Sequence, residues 1–153
     1  MPTQVMVRAI AKDAKIIGTK VGGVRVTIRD AASGKVLAQG MAQGKTGDTK
    51  LIMVEPHAHG ASLYDTPGAA GYLATLMLSE PTVVEVIAEG PLGHPQSTQR
   101  ASKTLLLLPG RDVLGDGVVL EIHGFTVEIL EPAAAGRLRR GEELTVRARV
   151  TMT

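Results

Sequence analysis

The feature that most constrains this chain is its period. Apolar side chains recur at every second residue rather than every third or fourth over most of its length. That spacing marks half-buried β-strands, not amphipathic helices. Val5, Val7 and Ala9 alternate with Met6, Arg8 and Ile10. Val24, Val26 and Ile28 alternate with Arg25, Thr27 and Arg29, which predicts a strand with an apolar inner face and a basic outer one. The segment Asp30-Ala31-Ala32-Ser33-Gly34 reads as a hairpin connection that returns through Val36 to Met41. Leu51 to Val54 read as a fourth strand. Residues 55–71 read as loop, broken by Pro56, Gly60, Pro67, Gly68 and Gly71. Strands are then expected over Tyr72–Leu78, Thr82–Glu89 and Ser97–Leu108, with a turn at Asp112–Gly117. Val118–Leu130 reads as one long strand bent at Gly124, Ala133–Arg140 as a short helical turn, and Leu144–Met152 as a closing strand.

About nine short strands with turn signals roughly every 8–12 residues predict an all-β protein, an antiparallel immunoglobulin-like β-sandwich. The 153 residues fit a single sandwich domain over 1–153, because domains commonly run about 100–200 residues. No helical pattern is long enough for a βαβ crossover, which excludes doubly wound and TIM-type architectures.

Composition removes several function classes. There is no Cys, hence no disulfide framework, thiolate zinc site or cysteine nucleophile. No Asn is present, so there is no N-glycosylation acceptor. Phe125, Tyr64 and Tyr72 are the only aromatics, too few for base-stacking platforms, so no sequence-specific nucleic acid is expected as a partner. No run approaches the roughly 20 apolar residues of a membrane span. Met1-Pro2-Thr3 leads straight into a strand pattern. The expected compartment is therefore cytoplasmic, or periplasmic or extracellular if a signal peptide was removed.

The net charge of +2 hides an asymmetry. Residues 1–50 hold nine Lys/Arg and three acids, whereas residues 51–99 hold five acids and no Lys or Arg. Two readings follow: oppositely charged neighbouring strands within one domain, or a dipolar subunit whose faces attract one another in an assembly.

The stretch Gly22-Gly23-Val24-Arg25-Val26-Thr27-Ile28-Arg29-Asp30, followed by Ser33-Gly34-Lys35-Val36-Leu37-Ala38-Gln39-Gly40, resembles the opening hairpin of carboxypeptidase-regulatory-like (transthyretin-like) sandwich domains. The resemblance covers about 20 residues of the chain. It implies an extracytoplasmic module for structure or interaction, without catalysis of its own, and it transfers no catalytic residue.

Candidate chemistry is sparse. His57 and His59, two apart in an extended segment, point the same way and could hold one copper or zinc ion. The third ligand would come from His94, His123, Glu55 or Asp65; the alternative is ordinary surface histidines. Asp13, Asp30, Asp48, Asp112 and Asp116 sit at turns, where they could supply oxygen ligands to calcium or serve the turns themselves. No GxSxG elbow or glycine loop leading into a helix appears. The terminal strands Gln4–Ala11 and Leu144–Met152 alternate strongly and are expected to include sheet edges, which offer unpaired N–H and C=O groups to another chain. The expectation is a non-enzymatic structural or interaction module without an obligatory cofactor, acting as a homo-oligomer or bound to another protein. Its interface would use Val5, Val7, Arg25, Arg29, Arg147 and Arg149. A copper- or zinc-binding sandwich using His57, His59 and His94 is the alternative.

Overall fold

The computed structural model describes residues 1–12, 15–133 and 136–152. In chain order its elements are β1 (Pro2–Ala11), β2 (Val24–Asp30), β3 (Val36–Ala42), α1 (Thr49–Met53), β4 (Tyr72–Met77), β5 (Thr82–Gly90), β6 (Gln99–Leu107), β7 (Val113–Ile122), β8 (Phe125–Glu131) and β9 (Arg147–Met152). The molecule is a β-sandwich. One sheet has the order β4-β1-β7, the other β3-β2-β5-β6, and β8 pairs with β9 alone. All pairings are antiparallel except β1 with β7, which is parallel.

Alternation builds the core between the two main sheets. Val5, Val7 and Ala9 of β1 face Val24, Val26 and Ile28 of β2 and Val84, Val86 and Ala88 of β5, all buried in one cluster. The sheets also meet at their sides, where β3 borders β4 and β6 borders β7. At the first of these corners Gly40 lies under the Tyr72 ring, which a Cβ at that position would strike. Glycine is required there by space, not by backbone angle.

Four expectations need correction. Leu51–Val54 is not a strand: Thr49–Met53 is helix α1, because the Asp48 carboxylate accepts from the Lys50 and Leu51 N–H groups and caps it. Asp112–Gly117 is not a turn between strands. Residues 113–117 belong to β7, whose ladder to β1 jumps from Val5↔Val113 to Val7↔Val118. The intervening residues bulge, helped by Gly115 and Gly117 at φ 71 and 66. Val118–Leu130 divides into β7 and β8. Finally, β1 is a central strand, not an edge, and Val5 and Val7 are 0% exposed. Neither can serve as an interface residue in this fold. Of the helical turn expected over Ala133–Arg140, residues 134 and 135 lie outside the described residues, and residues 136–139 are irregular.

The outer face of β1 is covered as well. Ile10, Ile16 and Ala70 form a second buried cluster, with Ile52, Tyr64, Ala69 and Val119 packed on it. Residues 49–71 therefore act as a cover on the β4-β1-β7 sheet. Arg8 fastens that cover. It is 3% exposed, and its guanidinium donates to the Ala69, Ala70 and Gly115 carbonyls and to Asp65. The β7 bulge turns Asp116 toward the same segment, where its carboxylate accepts from Ser62 Oγ and from the N–H groups of Leu63, Tyr64 and Asp65, all at 2.8–2.9 Å.

Candidate interaction surface

The β8–β9 hairpin is the part of the molecule that departs from ordinary sandwich construction. Its register opposes Phe125 to Met152, Val127 to Val150 and Ile129 to Ala148, so six apolar side chains share one face. The other face carries Thr126 opposite Thr151 and Glu128 opposite Arg149. A two-sheet protein normally turns its apolar face inward. Here Thr126 is 3% exposed, whereas Phe125, Val127, Ile129, Val150 and Met152 are 42–61% exposed. The apolar face looks outward.

The two edges of the hairpin differ. The free side of β8 is capped by side chains of the 3-10 turn Pro95–Ser97 and its surroundings. Ser97 Oγ accepts from the Val127 N–H at 2.6 Å and donates to the Val127 carbonyl at 3.0 Å. Gln96 Oε1 accepts from the Ile129 N–H at 3.2 Å, and Gln99 Oε1 accepts from the His123 N–H at 3.0 Å. Strand β9 pairs with β8 only, and every one of its residues is exposed. Among the described residues no strand pairs with its far side, and the strand contains no proline. An edge of this kind offers a row of main-chain donors and acceptors.

Charge on the two strands of the hairpin is balanced between them. Arg147 pairs with Glu131 at 2.9 Å and Arg149 with Glu128 at 3.6 Å. Part of the larger asymmetry along the chain is also paired inside the fold. Arg8–Asp65, Arg25–Glu89, Arg29–Glu85 and Lys50–Glu55 join the basic first third to the acidic middle. Four of the five acids in residues 51–99 are thereby paired within the chain. Arg25 and Arg29 lie on a cross-strand ladder of β2 with β5, the arrangement of oppositely charged neighbouring strands. The hydrogen bond from Arg29 is the largest influence on Glu85 and, with the nearby cation, holds its carboxyl below the usual range against the opposing effect of burial.

The histidines do not converge. His57 is exposed, with Nδ1 3.0 Å from the Glu55 carbonyl, and borders a cleft floored by Ile10, Ile52 and Leu63. His94 lines a different depression, beside Gln96 and Glu128, and His59 is exposed on its loop. Among the described residues no three His, Asp or Glu side chains gather as a metal site would require. The turn aspartates serve the backbone. Asp30 accepts from Ser33, Asp48 caps α1, Asp112 accepts from the Gln4 N–H, and Asp116 holds residues 62–65. Asp13 lies outside the described residues.

Burial alone would raise the Asp116 pKa, but the four hydrogen bonds outweigh it and hold the carboxyl below its usual value. Tyr64 beside it is pushed up, by burial first and then by the negative charges of Asp116 and Glu121. This cluster is a clamp on a covering segment. The Asp116 carboxylate is taken up by Ser62 and by main chain, whereas Tyr64, with His57 and Glu121, lines the cleft floored by Ile10, Ile52 and Leu63.

The fold and this surface define an all-β sandwich that carries one separate hairpin with an outward apolar face and an open edge. No family model, curated protein or solved structure matches the chain.

Proposed function

We propose that this chain is a non-enzymatic structural or interaction module that works by self-association through its β8–β9 hairpin. One observation carries the reading: the hairpin presents six apolar side chains to solvent beside a strand with an unpaired edge. Apolar surface of this kind is stabilised when removed from water, at roughly 25 cal/mol per Å². Elsewhere the edge strands of the two sheets lie beside one another, β3 beside β4 and β6 beside β7. We read the sandwich as immunoglobulin-like. The β2–β3 hairpin, paired from Val24↔Ala42 to Arg29↔Val36, is the segment that resembles carboxypeptidase-regulatory-like domains.

Light scattering over a range of protein and salt concentrations tests the proposal. A mass that rises above the monomer with concentration, and persists at about 1 M salt where surface charge is screened, is the expected result. A strict monomer under every condition refutes it.

A further inference from the structure

We infer that β9 is a self-complementary strand that adds to β9 of a second copy, antiparallel about a two-fold axis at Val150, making a four-stranded β8-β9-β9-β8 sheet. This rests on the self-association reading above and specifies its geometry.

The direction of the main-chain groups comes first. In an antiparallel ladder, pairs that exchange hydrogen bonds alternate with pairs that do not. Val127 and Ile129 turn their N–H groups to Ser97 and Gln96, so their opposites on β9, Val150 and Ala148, turn theirs away from β8. The open edge is therefore read at Ala148, Val150 and Met152. Two copies meeting there antiparallel have few registers. Centring on Val150 opposes Val150 to itself, Ala148 to Met152, and Arg149 to Thr151. A shift toward the start of the strand sets Arg149 against Arg149, and like charges directly opposite one another destabilise a sheet. A shift toward the end shortens the overlap.

Charge favours a second copy over a charged partner. Natural edges are guarded by cations, but Arg147 and Arg149 are already paired with Glu131 and Glu128. The two strands carry no net charge, so β9 does not repel its own copy along the edge. Because the two-fold stands perpendicular to the sheet, the apolar faces of both hairpins remain on one side and merge.

The absence of cysteine makes a clean test. In the inferred register residues 149 and 151 of opposite copies form a non-hydrogen-bonded pair, about 4.5 Å between Cα atoms, within disulfide reach. A mixture of Arg149→Cys and Thr151→Cys proteins should oxidise to a cross-linked heterodimer in several-fold higher yield than either alone. Val150→Pro removes an outward N–H without touching the β8 ladder, so it should give a folded monomer with a near-unchanged Tm. Two outcomes overturn the inference differently. If the mixture fails to cross-link while Val127→Cys cross-links to itself, the hairpins stack face to face; self-association stands and the strand pairing falls. If no variant cross-links and the wild-type protein is monomeric, both fall.

Discussion

Arg8→Met removes the guanidinium that fastens residues 62–71 while keeping an unbranched side chain of similar reach. The size of the effect depends on what is left behind. Replacing a buried ion pair by apolar groups is often neutral or stabilising, because two desolvated charges disappear together. That relief does not apply here. Asp65 is 54% exposed on its side chain, so water serves it and the exposed half of the pair contributes little. The other acceptors are the Ala69, Ala70 and Gly115 carbonyls, which stay in place when the side chain goes. Their bonds to Arg8 are long, 3.2–3.4 Å, so each belongs near the lower end of the cost of about 1–3 kcal/mol for a buried group left unpaired. The sum is about 3 kcal/mol. For a chain of this length 1 kcal/mol moves Tm by about 3 °C, so Arg8→Met should lower it by about 9 °C. Thermal unfolding followed by circular dichroism measures this, with Asp65→Asn beside it, which should cost less than about 1 kcal/mol. The reasoning is refuted if Arg8→Met unfolds with the wild type, or if Asp65→Asn costs as much.

Two further predictions concern the β7 bulge. Asp116 has its carboxyl pKa held below the 3.8 of an unperturbed aspartate, so its contribution is fully present above about pH 4 and is lost as pH falls through the lower folded value. Asp116→Asn should therefore be less stable at pH 7 and show a shallower loss of Tm below pH 4; a parallel acid limb would contradict the clamp. Gly117 has φ 66, and a Cβ there would run into the Met6 carbonyl, whereas a Cβ on Gly115 at φ 71 meets nothing within 4 Å. Gly117→Ala should lower Tm well beyond Gly115→Ala, whose cost is the left-handed conformation alone, about 1–2 kcal/mol; equal losses in the two variants would show that the bulge does not press Gly117 against β1.

Much of the fold was legible because alternation is a local property. β1, β2 and β4 lie within segments where apolar and polar residues change places, and β3, β5 and β6 between turn signals. The failures have physical causes. Leu51–Val54 is a four-residue apolar run, too short for its period to separate strand from helix, and the Asp48 cap decided it. Gly115, Asp116 and Gly117 have turn composition but were recruited into a bulge that aims Asp116 at a distant segment. Arg8 occupied an outward position in its strand, and only the folding of residues 49–71 over that face buried it. Whether a strand is central or at an edge depends on its partners, so Val5 and Val7 were misplaced at an interface. For the hairpin, alternation separated Phe125, Val127 and Ile129 from Thr126 and Glu128, but periodicity does not say which face meets the body. The Ser97 and Gln96 side chains that cap β8 come from a separate turn, and they determine that the open edge is on β9.

The most direct test of association through the β9 edge is amide hydrogen exchange, residue by residue, in dilute and concentrated protein. The N–H groups of Ala148, Val150 and Met152 point away from β8 and should exchange freely in the monomer. They should become protected as concentration rises, in step with mass, while Arg149 and Thr151 are protected throughout by β8. Free exchange at 148, 150 and 152 in a protein that has nonetheless associated would contradict the account.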